Sequence, residues 1–183
     1  MEKLFKQINQ TIMTELREGE YLGMGFGGEQ SNFTRINAAK VRQIGNVDED
    51  DLGFNLILNG RRSTGSISLS GDFDEDLTRA RGELTRLRAE VVQLPEDPYL
   101  VLPESTETSH NEMHGNLPDA EAIPGILLPA MGEVDLTGIW ASGRVFQGSA
   151  NSSGGYHWFA SDSFSLDYSL ITPSEKMVKA TYA

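Results

Sequence analysis

The chain has 183 residues, 38% apolar, 23% charged and 8% aromatic, with a formal net charge of -12. That is a globular composition, and a chain this long buries about 70% of its unfolded surface without covalent staples. The absence of cysteine excludes disulfides, thiolate metal centres and a cysteine nucleophile.

The charge is uneven. Residues 1–88 hold 12 basic and 14 acidic side chains, a net of -2. Residues 89–143 hold no Lys or Arg and 10 acidic side chains, and residues 144–183 balance at three and three. Phosphate recognition needs a basic patch, so nucleic acid and anionic membrane surfaces are not expected partners. The N-terminus lacks the apolar core of a signal peptide. The longest apolar stretch, near Ile126–Met131, is far short of the roughly 18 residues of a membrane span. The expectation is a soluble, cytoplasmic protein.

In chain order, Leu4, Ile8, Ile12 and Leu16 recur every four residues, which predicts a first helix. Gly19 is its expected stop. Residues 20–30 are glycine-rich and carry no clear pattern. Residues 31–70 read as an antiparallel β-meander of about four strands. Asn32–Ile44 supplies one long strand or two short ones, and Asp48–Asp51 is read as an acidic turn. Leu52, Phe54, Leu56 and Leu58 alternate with a period of two. Asn59-Gly60 suits a tight hairpin, and Ser66–Leu69 returns. A second helix is expected over Phe73–Gln93, with Leu77, Ala80, Leu84, Leu87 and Val91 inward. Asp72 and Glu75 open it as a capping box, and Pro95 ends it.

Five prolines and a polar run make residues 95–125 read as an acidic linker. Beyond it, strands are expected over Ile139–Phe146, Phe164–Leu170 and Met177–Tyr182. The predicted organisation is α+β. Two helices pack on the meander in a domain over 1–94, and a linker over 95–125 leads to a β-rich subdomain over 126–183 that begins a larger domain.

Four constellations invite a functional reading. Gly23, Gly25 and Gly28 have dinucleotide-loop spacing, but such a loop runs from a strand into a helix, and here a helix precedes. Asp72, Asp74, Asp76 and Glu83 fall on calcium-loop positions, yet Leu77 stands where the loop needs glycine. His110 and His114 are four apart, which on a helix lets two imidazoles share a metal; Glu112 is not where a zincin places its glutamate, and the segment reads as loop. His157, between Tyr156 and Trp158, is expected to pack on a strand. No Gly-x-Ser-x-Gly elbow is present, and spacing alone yields no catalytic residue.

Two stretches carry a resemblance. One is Ser31-Asn-Phe-Thr-Arg35-Ile-Asn37-Ala-Ala-Lys-Val-Arg42-Gln-Ile-Gly45, followed by the meander, the second helix and Leu94-Pro-Glu-Asp-Pro-Tyr-Leu100. The other is Gly143-Arg-Val-Phe-Gln-Gly-Ser-Ala-Asn151-Ser152-Ser-Gly154, continuing through Trp158 to Ala183. Together they resemble the N-terminal half of TldD/PmbA (TldE) proteins, described as zinc metalloproteases and also labelled modulators of DNA gyrase.

The resemblance implies an α/β N-terminal region ahead of a larger β-rich C-terminal domain. It also implies a TldD–TldE pair that cleaves unfolded peptides, including a microcin precursor and an antitoxin. The family zinc motif, His-Glu-x-x-x-His, belongs to the C-terminal half of TldD-type members, and TldE-type members lack it. This chain does not contain the motif, so no catalytic residue carries over and the chain is expected to be inactive alone. Zinc is expected only in the full-length protein or its partner.

What carries over is Arg35, Asn37 and Arg42 on the first strands and Asn151, Ser152 and Gly154 at a turn. These six are the candidate substrate-binding residues. An intra-sheet bridge and a tight turn are the structural readings beside that one. His110 and His114 remain the alternative for an autonomous metal site. Two functions are expected: the scaffold and substrate-chamber portion of a peptidase acting on unfolded peptides, or a non-enzymatic interaction or dimerisation module of the TldE type. The expected partners are a family subunit or a second copy, because unpaired strand edges invite pairing.

Overall fold

A computed structural model describes residues 1–131, 134–172 and 174–183, with backbone only for Ala130 and Met131. The elements are α1 (Glu2–Thr14), β1 (Glu20–Asn37), β2 (Lys40–Leu58), β3 (Arg61–Ser68), α2 (Phe73–Val91), β4 (Thr108–Met113), a 3-10 turn (Ala120–Ala122), α3 (Ile123–Met131), β5 (Asp135–Asn151), β6 (Tyr156–Ile171) and β7 (Met177–Tyr182). The strands form one seven-stranded antiparallel sheet in the order β3-β2-β1-β5-β6-β4, with β7 also on β6. The α+β class stands, with three α-helices rather than two among the described residues. None of them is long and apolar enough to cross a membrane.

The long strands replace the expected four-strand meander with three. The acidic run Asp48–Asp51 is not a turn but lies inside β2. Its carboxylates find cross-strand partners: Asp48 accepts from Gln30, and Asp51 from Ser68 Oγ at 2.7 Å. The β1–β2 turn falls instead at Ala38-Ala39, both at positive φ (51° and 52°). Asn59-Gly60 forms the expected hairpin, with Leu58 opposite Arg61 and Leu52 opposite Ile67. The glycine-rich residues 20–30 are strand, so Gly23, Gly25 and Gly28 are β1 positions and not a phosphate loop. The expected linker also carries structure, since β4 and the start of α3 lie within residues 95–125.

The molecule divides into two compact units, each assembled from three separate stretches of chain. The first comprises residues 1–28, 49–112 and 146–159. Its core takes Phe5, Ile8 and Ile12 from α1, Leu22 from β1, Leu52 and Leu56 from β2, and Leu84, Leu87 and Val91 from α2, each 1% exposed or less. Phe5 replaces Leu4 as the innermost residue of the first turn, because it joins an aromatic cluster with Phe26, Tyr156 and Trp158 at centroid distances of 5.7, 5.7 and 6.3 Å. Such a cluster adds specific ring contacts to burial. Asp72 caps α2 by accepting from Glu75 N at 2.9 Å.

Asp76, fully buried, accepts from Ser70 N, Ser70 Oγ and Gly71 N within 3.0 Å. Those bonds make this carboxylate a backbone clamp at the start of α2, since a buried carboxylate must be paired.

The second unit comprises residues 29–48, 113–145 and 160–183. Its small core centres on Ile36 and Leu136, with Leu127, Tyr168 and Leu170 packed against them. Trp140 stacks on Phe164 at 4.9 Å, and Phe164 meets Tyr182 at 5.7 Å.

Candidate functional site

A groove of about 780 Å³ lies in the first unit. One wall is the polar face of α1, including Glu2, Lys6 and Asn9. The other walls are β4 at Thr108–His110 and the β5–β6 turn at Asn151–Tyr156. The groove therefore gathers four sequence candidates: His110, Asn151, Ser152 and Gly154.

The turn is built by its own side chains. Asn151 Oδ1 accepts from Ser153 N (2.9 Å) and Gly155 N (3.0 Å), and Gly154 sits at φ 102°. That is the tight-turn geometry expected of Asn-Ser-x-Gly. Asn151 Nδ2 donates to Ser105 O at 2.9 Å. Ser152 N donates to Leu22 O at 2.9 Å, and Leu22 N donates to Ser152 Oγ at 3.2 Å. Asn151 and Ser152 thus fasten the turn to the segment after α2 and to β1.

The segment with His110 is strand, not loop, which removes the helical geometry by which His110 and His114 would share a metal. On a strand, residues two apart share a face, so His110 and Glu112 do. His110 Nε2 lies 3.2 Å from Glu2 Oε2 and 3.6 Å from Glu112 Oε1. The ligand atoms of Glu2, His110 and Glu112 all lie within 4.8 Å of one another. Tyr156 O–H donates to Glu2 Oε1 at 3.4 Å. Burial, reinforced by the Glu2 charge, pushes the Tyr156 phenol up to about 12, so it stays a donor at neutral pH.

His114 has a different environment, with Nδ1 3.1 Å from Arg144 and 3.7 Å from Asp162 Oδ2. His157 contacts Ser109 Oγ at 2.8 Å, a pairing that spacing alone does not reveal.

Of the other candidates, Arg35 and Asn37 line a groove of about 480 Å³ in the second unit, to which β2 contributes Gln43 rather than Arg42. Arg35 and Asn37 point to one exposed face of β1, as their two-residue spacing requires. Asn37 Oδ1 accepts from Thr137 Oγ1 at 3.1 Å, and Arg42 Nε donates to Asn37 O at 3.2 Å. Both are bridges within the sheet. Among the described residues the Arg35 guanidinium has no hydrogen bond or ion pair. On the far side of that groove Lys179 pairs with Asp167 at 3.2 Å.

No protein-family model and no curated protein matches the chain. Solved structures do. The chain superposes on TldE from Thermococcus kodakarensis over 98% of its length, with TM-score 0.63 and 11% identity. It superposes over 99% on a candidate modulator of DNA gyrase from Thermotoga maritima, with TM-score 0.60 and 10% identity. A candidate modulator of DNA gyrase from Bacteroides thetaiotaomicron is matched over 99%, with TM-score 0.56 and 17% identity. At these identities the likeness is one of fold. The chain spans 42%, 42% and 44% of the three neighbours.

Proposed function

We propose that this chain is the N-terminal type of region of a TldD/TldE-family protein, acting in the cytoplasm as scaffold and peptide chamber without catalytic groups of its own. The observation that supports the reading is the fold likeness across nearly the whole chain to three proteins whose names are TldE or candidate modulator of DNA gyrase. Arg35, which has no hydrogen bond or ion pair among the described residues, stands beside Asn37 and suits an extended peptide, because a guanidinium clamps a carboxylate in two-pronged fashion and an amide bonds peptide backbone. Strand edges add main-chain bonds, as in β-augmentation.

The test is fluorescence anisotropy with a labelled, unfolded casein fragment. The expected result is saturable binding without cleavage, weakened about tenfold by Arg35→Ala, the loss of one charge-assisted contact. No binding, or an unchanged affinity in the variant, removes the chamber role from this face. Cleavage by the purified chain would overturn the absence of catalytic groups.

A second reading, an assembly module of the TldE type, is favoured by β7. Its register on β6 pairs Met177 with Ile171 and Tyr182 with Leu166, and it leaves Met177, Val178 and Tyr182 more than half exposed. An apolar strand of this kind at a sheet edge invites a partner chain. Light scattering at rising concentration separates the two readings: a dimer lost in Val178→Lys supports assembly, and a monomer throughout removes it.

A further inference from the structure

We propose that Glu2, His110 and Glu112 form a divalent-cation site for a zinc-class ion, opening into the groove beside α1. The donor set is one imidazole nitrogen and two carboxylate oxygens, each a zinc ligand type. Ligands about 2.1 Å from a tetrahedral ion lie about 3.4 Å apart. His110 Nε2 stands 3.2 and 3.6 Å from its two carboxylate oxygens, on either side of that edge length. The third edge, between the two carboxylates, is no longer than 4.8 Å, so an ion would close the set by drawing them together.

Two further observations support the assignment. Tyr156 bonds one oxygen of Glu2 while the other faces His110, which is the arrangement by which an outer hydrogen bond orients a ligating carboxylate. Three protein ligands leave a fourth position, and Glu2 and His110 both line the groove of about 780 Å³. That is the open form of site, able to hold water or an oxygen of a bound ligand. The β4 side of the cluster brings no cationic side chain, since residues 89–143 contain no Lys or Arg, and on the α1 side Lys6 lines the same groove. A divalent ion would offset the repulsion between the two carboxylates and tie the start of α1 to β4.

The assignment does not use His114, whose Arg144 and Asp162 contacts hold it in other company. His114→Ala is therefore the control.

The experiment is calorimetric titration of the full chain, stripped with chelator, with zinc chloride at neutral pH. We expect one zinc per chain at an affinity on the order of micromolar, as partly exposed ligands give. His110→Ala should weaken binding at least about tenfold, the scale of losing a ligand or its support. Glu112→Gln should weaken it several-fold, and His114→Ala should leave it unchanged. Zinc should also raise the melting temperature of the parent chain and not of His110→Ala, because binding to the folded state alone stabilises it by mass action. Circular dichroism without metal checks that each variant folds, and Glu112→Gln decides the matter should His110→Ala fail. No bound zinc, or equal binding in parent and Glu112→Gln, overturns the site and leaves an imidazole–carboxylate salt bridge.

Discussion

Arg88 and Glu20 form a two-pronged ion pair, with Nε to Oε1 and Nη2 to Oε2 both at 2.7 Å, and the Glu20 side chain is only 3% exposed. The same guanidinium donates to Glu15 O at 2.8 Å, so one side chain of α2 fastens both the end of α1 and the first residue of β1. Burial raises the Glu20 carboxyl, but the Arg88 bonds and the Arg17 amide outweigh it and hold the group below its ordinary value. Its contribution to stability is therefore complete above the unfolded value and is lost as pH falls through the lower folded one. Glu20→Gln leaves a half-buried guanidinium without its charge partner, at a cost of about 3 kcal/mol. The expected outcome at pH 7 is a melting temperature lower by about 9 °C. That gap should close below the ordinary glutamate range; a gap independent of pH would refute the linkage.

Ala38 and Ala39 both occupy the left-handed region, where a Cβ costs about 1–2 kcal/mol per residue. The turn closes a hairpin whose twist favours that conformation, which is why two alanines tolerate it. Replacing the pair by Asn-Gly, the residues this turn prefers, should stabilise the chain by about 1–2 kcal/mol. Thermal melting should rise by about 4 °C, and a fall would show the turn to be of another kind.

Asn151 accepts from two amides of its own turn and donates to Ser105. Asn151→Ala should cost about 1–3 kcal/mol, the penalty for stranding such groups. Amide exchange at Ser153 and Gly155 should quicken. Asn151→Asp keeps the two acceptor bonds and should lose less; equal losses would place the stabilisation in the Ser105 contact instead.

Asp162 accepts from Arg144 Nη1 at 2.9 Å and from Gly115 N at 3.1 Å. The Arg144 bond, helped by the Gly115 amide, outweighs the slight burial and holds the Asp162 carboxyl below its ordinary value. In Arg144→Gln that carboxyl should titrate nearer the usual aspartate value, read from its carbon resonance by NMR. An unmoved titration would mean that Arg144 does not set it.

The first two helices were legible because their signals are local, whereas α3 lies where the sequence reads as the end of a linker and the start of a β-rich subdomain. The leucine and alanine spacing of α2 matches its buried face, and Asp72 caps the residue that the capping box names. The Asn59-Gly60 hairpin and the Asn151–Gly154 turn were legible for the same reason, since a turn's chemistry resides in its own residues. The acidic run in β2 reads as a turn in the sequence because the cross-strand amide and hydroxyl that Asp48 and Asp51 accept from are invisible to composition. Strand β4 leaves no mark in the sequence, because its six residues are all exposed and no alternation results.

What the sequence determined by itself is the set of elements whose stability lies within a few residues: the first two amphipathic helices, the α2 cap and the glycine turns. What only the tertiary structure decided is which distant residues meet. Glu2 reaches His110 across 108 positions and Arg88 reaches Glu20 across 68. Those meetings depend on the order in which strands pair in the sheet, and strand order is a long-range choice that periodicity, a property of neighbours, does not encode.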